Sequence, residues 1–92
     1  MPQVIIDADE ARHFAAFLLR VVEELRGQQA RAKSGFGSLK DYWKDERLSQ
    51  FEQVFETTDR GLERFLRNAE EYAAFLQRKA ELVDRYLSGN RY

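Results

Sequence analysis

From Leu48 to Leu87 residues recur almost without fault at alternating steps of three and four, all but one of them apolar: Leu48, Phe51, Phe55, Thr58, Leu62, Phe65, Ala69, Tyr72, Leu76, Ala80, Val83 and Leu87. Only an α-helix gathers that spacing onto one face, and a heptad-like seam kept for some forty residues predicts a single long helix over about 46–88. Val54, Leu66, Ala73, Phe75, Leu82 and Tyr86 make a second stripe beside the seam. Outward positions set Glu56 before Arg60, Glu63 before Arg67 and Glu81 before Arg85, acid first at spacing four. That is the better orientation for a helix surface pair, and such charges chiefly solvate the outer face.

The only proline is Pro2, so no later residue is barred from a helix interior. Asp7 and Glu10 in the stretch DADE offer a capping box, which starts a first helix at about residue 8. Val4, Ile5 and Ile6 precede it as an apolar lead-in expected to fold back on the helices. Phe14, Leu18, Val21, Leu25, Ala32, Phe36, Leu39 and Trp43 then follow at steps of three, four or seven, with Phe17 and Val22 widening the stripe. Gln28 falls on this seam, and SGFGS (34–38) brings two glycines, each costing roughly 1 kcal/mol in a helix interior. A fray or kink there is the alternative, but Phe36 and Leu39 keep the phase and predict a helix over about 8–40. With a turn over about 41–45, the connection is too short for anything but an antiparallel hairpin. The fold class is therefore all-α, with residues 1–92 forming one helical-hairpin domain. Gly89 reads as its C-terminal stop, and SGNRY as a frayed tail whose Arg91 and Tyr92 could dock on a partner.

A lone two-helix rod shelters one seam per helix, and both helices are apolar over a wider arc. Phe17, Val22, Val54, Leu66, Phe75 and Leu82 are left over and are expected to form a dimer face. Each could contribute on the order of 1.5–3 kcal/mol if covered, enough to offset much of the cost of association. Pairing two hairpins into a four-helix bundle is the economical solution; the partner is a second copy or a related hairpin.

Composition narrows the function classes. Hydrophobic residues at 43% exclude a disordered chain despite 34% charged residues. Fifteen basic and sixteen acidic residues, interspersed and summing to a net charge of -1, disfavour nucleic acid and anionic membrane as partners. No apolar run is long enough for membrane insertion. The start, MPQVIIDADE, lacks the basic and apolar regions of a signal peptide, so the expected location is the cytoplasm, or outside it by a signal-peptide-independent route.

Enzyme chemistry has little to work with. There is no cysteine and one histidine, His13, which removes thiol nucleophiles and histidine triads. The sharpest alternative is EARH (10–13), since Glu-x-x-His is the repeat of di-iron bundles, with Glu70 or Glu71 brought to its level by the hairpin. Against it, Glu10 lies in the capping turn and the inward neighbours are Ala69, Tyr72 and Leu76. GFG (35–37) follows no strand and so is not a phosphate loop. A non-enzymatic protein without metal or cofactor is expected.

The sole tryptophan stands in the turn, in DYWKDERLSQF (41–51). Asp45 can cap the second helix, leaving Trp43 to plug the end of the core over Leu39 and Leu48 or to anchor a docking site with Phe51. With Leu39 four residues before Trp43 and Phe51 eight after it, across a hairpin of nearly the whole chain, the sequence resembles the WXG (ESAT-like) superfamily of type VII secretion substrates and relatives. Asp45 stands where the family glycine would, which is similar to the WxD variant of divergent members. The resemblance implies a homodimer or a heterodimer with a paralogue, and many members carry a C-terminal YxxxD/E export signal. Tyr86 is followed four residues on by Asn90, and Tyr72 by Leu76; neither fits, although a partner can supply such a signal. The expected function is that of a protein–protein interaction module: a secretion substrate, adaptor or chaperone partner that contacts a secretion component or client. The alternative is a freestanding helical-bundle assembly or regulatory protein unrelated to secretion.

Overall fold

In a computed structural model describing residues 7–89, the chain is two antiparallel helices, α1 (Ala8–Tyr42) and α2 (Glu46–Gly89), packed side by side. Val4, Ile5, Ile6, Asn90, Arg91 and Tyr92 lie outside the described residues. The molecule is a rod of 71 × 27 × 13 Å, the length expected of a 44-residue helix at about 1.5 Å per residue.

Local chemistry sets the ends. One carboxylate oxygen of Asp7 accepts hydrogen bonds from the backbone N–H groups of Asp9 (3.0 Å) and Glu10 (3.2 Å), which would otherwise lack partners in the first turn. α1 runs unbroken through 34–38. A β-carbon on Gly35 or Gly37 would meet nothing within 4 Å, so packing demands neither glycine. At Trp43 the backbone turns extended (φ -142°, ψ 126°) while its N–H still bonds the Leu39 carbonyl at 3.0 Å. Two residues later Asp45 caps α2.

The seam between the helices is thin. Ala11, Ala15 and Val22 from α1 meet Leu66, Ala69, Ala73 and Ala80 from α2, all buried, and Leu18, Leu25 and Leu62 pack around the Val22–Leu66–Ala69 centre. Alanines on both sides let the backbones approach closely. Near the turn the filling becomes aromatic: Phe36 stacks on Phe55 (centroids 5.1 Å) and meets Phe51 edge-on (5.5 Å).

The seam corrects two dimer-face expectations. Val22 and Leu66 are core residues of the hairpin, Leu66 with no exposed surface at all, whereas Phe65 and Tyr72, expected in the seam, are about half exposed. The apolar arc on each helix is wide enough for two rotational settings. The one adopted inserts the alanines and lets α2 present its carboxylates to α1. Glu63 consequently bonds Arg26 across the hairpin rather than pairing with Arg67. Of the expected pairs along α2, Glu81–Arg85 forms at 2.6 Å, while Arg60 donates to the Thr57 hydroxyl instead of to Glu56. Gln28 is exposed, and its neighbour Gln29 reaches across to Asp59 at 2.9 Å.

Candidate functional site

The two flanks of the hairpin have opposite character. Along one flank α1 presents Arg26, Lys33 and Lys40 at heptad steps, and α2 answers with carboxylates. Lys40 meets Glu52 (2.5 Å), Lys33 meets Asp59 (3.0 Å), and Arg26 bridges Glu63 (3.1 Å) and Glu70 (2.6 Å). Arg12 continues the ladder to Asp84 at 2.7 Å. The guanidinium of Arg26 is held charged to a higher pH than usual by its bonds to Glu70 and Glu63, and Lys40 likewise by Glu52. In return, Gln29 and Lys33 hold the Asp59 carboxyl below its ordinary range, and Arg26 does the same to Glu63. The heptad run of cations on α1 is the sequence signal for this ladder; periodicity alone misses it, because the acceptors lie on the other helix, 12 to 72 residues away.

With the ion pairs on one flank, helix geometry turns most of the remaining exposed apolar residues of both helices to the other, Leu19 on the ladder side being the exception on α1. Phe14, Phe17 and Leu39 from α1, and Phe51, Val54, Phe65, Tyr72, Phe75 and Leu82 from α2, all stay exposed. Tyr72 and Phe75 stack along the outer edge (5.9 Å), and Phe14 leans on Phe17 (6.3 Å). Of the expected dimer face, then, Phe17, Val54, Phe75 and Leu82 are free to meet a partner, with Val54 the most open at 60%.

At the turn this face deepens into a groove of about 460 Å³, lined by Phe36, Leu39, Trp43, Leu48 and Phe51 with Asp45 and Arg47. Trp43 is 58% exposed and Phe51 52%, so the indole is a wall of the groove rather than a plug in the core. Asp45 holds that wall in place. One of its oxygens accepts the Leu48 backbone N–H at 2.7 Å, capping α2, and the other accepts the Trp43 indole N–H at 2.9 Å. The Leu48 N–H and then the indole keep the Asp45 carboxyl below its usual range. Glycine at 45 could make neither bond. The three turn residues singled out from the sequence are thus brought together, Trp43 and Asp45 directly and Phe51 across the groove.

Among the described residues no group of three or more histidine, aspartate or glutamate side chains could hold a metal ion. Glu10 and His13 are both exposed, and Glu70 is engaged by Arg26. Among the same residues no helix is long and apolar enough to cross a membrane. Compared with protein-family models, curated proteins and solved structures, the chain gives no match.

Proposed function

We propose that this chain is a non-enzymatic protein–protein interaction module whose open apolar flank packs on another helical surface to complete a four-helix bundle. The observation that carries the proposal is the one-sided distribution of exposed aromatic and aliphatic side chains opposite the ion-pair ladder. Its extent supports the same reading. The accessible surface is 7696 Å², against about 5,600 Å² for a compact monomer of 10.9 kDa. The excess of roughly 2,000 Å², polar and apolar surface together, leaves room for the area that one partner buries in a standard interface, about 800 Å². A contiguous apolar face of this kind on a soluble protein marks an interaction site.

Within that reading, the turn favours a hairpin of the WXG type, in its WxD form. The Asp45 bonds to Leu48 and Trp43 give the aspartate a structural task suited to the place of the family glycine, and the exposed indole is suited to anchor a contact. An adaptor, companion or chaperone-like subunit of a secretion system is the role proposed, in the cytoplasm or carried outward by a partner.

Light scattering on the purified chain, alone and mixed with hairpin proteins encoded beside its gene, tests the module. A complex in any of these samples supports it. A chain that stays at 10.9 kDa throughout, at high concentration, overturns it. Trp43→Ala then tests the groove: weakened binding with the fold intact is expected, and undiminished binding removes Trp43 from the contact.

A further inference from the structure

Two carboxylates stand in the seam between the helices. The row of α2 that faces α1 runs Glu52, Asp59, Leu66 and Ala73 at heptad steps, and the side chains of Glu52 and Asp59 are only 32% and 20% exposed. α1 holds both in place: Lys40 pairs with Glu52, and Lys33 and the amide of Gln29 engage Asp59. One residue earlier, Phe51, Thr58, Phe65 and Tyr72 form a second row, exposed on the open flank. Both rows border Phe55, Leu62, Ala69 and Leu76, which the seam covers wholly or in part. Successive residues stand about 100° apart around a helix, so turning α2 by about 50° exchanges the rows and keeps those four in the seam.

Charge decides between the two settings. A half-buried carboxylate stripped of its counter-charge keeps the cost of desolvation and loses what offset it. The turn returns Glu52 and Asp59 to water and brings Phe51, Phe65 and Tyr72, each about half exposed, under cover, while uncovering one large side chain, Leu66. With the cations in place the turn is opposed, because it would break the Lys33 and Lys40 pairs and draw Glu63 and Glu70 away from Arg26. Packed interfaces pass between such discrete arrangements rather than deforming continuously. Resting on the interaction-module reading above for what is regulated, we infer that the ladder locks the open flank. Arg26, Lys33 and Lys40, when paired, keep the aromatic row on display; when neutralised, they let α2 turn and draw Phe65 and Tyr72 into the seam. Phe51 leaves the wall of the groove at the turn in the same movement, so flank and groove close together.

The test is the reactivity of single thiols in a chain that has no cysteine of its own. Tyr72→Cys puts a thiol in the exposed row and Ala73→Cys one in the seam. Each is made in the native chain and in the triple variant R26Q, K33Q, K40Q, and alkylation is followed below the concentration at which the chain associates. In the native background position 72 should react fast and position 73 slowly. In the triple variant the two rates should each move by about tenfold, in opposite directions. Circular dichroism checks that the helices persist. Phe65→Cys and Leu66→Cys repeat the comparison one heptad earlier, where a smaller side chain replaces a larger one and cannot overpack the seam. Native rates at both pairs in the triple variant overturn the inference. So does a rise at both positions of a pair, which marks a hairpin coming apart rather than turning. A chain that associates with nothing overturns the interaction-module reading, while the rates still decide the turn. Where a complex forms, the triple variant should bind about tenfold more weakly; undiminished binding with reversed rates overturns the claim that the turn closes the flank.

Discussion

Phe65 and Leu66 are neighbours in sequence with opposite surroundings, and truncating each to alanine separates the hairpin's own stability from its association. Leu66 is fully enclosed by the seam around Val22 and Ala69. Leu66→Ala deletes buried methyl groups and leaves a cavity, at a cost of about 2–5 kcal/mol. The whole domain, at 92 residues, has roughly 5–14 kcal/mol to lose. Phe65 is 51% exposed, so about 100 Å² of a phenylalanine's surface stays wet in the single hairpin and becomes available to a partner. At about 25 cal/mol per Å² that is roughly 2.5 kcal/mol per copy, or 5 kcal/mol per dimer. Urea unfolding followed by circular dichroism at two protein concentrations a hundredfold apart reads both effects. Mass action should move the midpoint of the native chain by the equivalent of about 2.7 kcal/mol between the two. Leu66→Ala should lower both midpoints while keeping their separation. Phe65→Ala should collapse the separation. If Phe65→Ala keeps the native concentration dependence, or Leu66→Ala costs less than about 1 kcal/mol, the division between seam and open flank is wrong.

Three further outcomes are expected from the geometry. Gly35→Ala and Gly37→Ala, each introducing a methyl group into open space within α1, should stabilise by about 1 kcal/mol apiece in thermal melts. Asp45, Asp59 and Glu63 have folded-state pKa values lowered from ordinary values of 3.8, 3.8 and 4.5. Their contribution is therefore complete above those values and is lost as pH falls through the lower folded ones, so the urea midpoint should drop between about pH 5 and pH 2. The double variant Asp59→Asn, Glu63→Gln should flatten that drop. Trp43→Phe keeps a ring in the groove wall but removes the indole bond to Asp45. It should lower the melting temperature only slightly and broaden the ring's NMR signals, whereas Asp45→Gly, which also uncaps α2, should lower it more.

The hairpin is legible in the sequence because its determinants are local. The stepping of apolar residues, the aspartates at 7 and 45 and the absence of proline after residue 2 act within a turn or two of the backbone. The rotation of each helix about its axis is not. The apolar arc on α2 covers two adjacent rows, and Leu66 or Phe65 could face α1 with equal periodicity. The choice rests on alanines meeting across the seam and on carboxylates such as Glu63 and Glu70 reaching Arg26, 37 and 44 residues away. No local pattern encodes such pairings. For the same reason the cap at Asp45 is readable, while its second bond, to an indole two residues earlier, depends on the extended conformation of Trp43.

Whether another molecule covers the apolar flank in solution can be measured residue by residue. Hydroxyl-radical footprinting of the purified chain does so, run from well below to well above the concentration at which it associates. Phe51, Phe65, Tyr72 and Phe75 should lose reactivity as concentration rises. Leu19, 37% exposed and in the heptad row of Arg12 and Arg26 on the ladder side, should stay unchanged. Equal reactivity of those four rings at every concentration, in a chain shown to associate, would contradict an interface on the open flank.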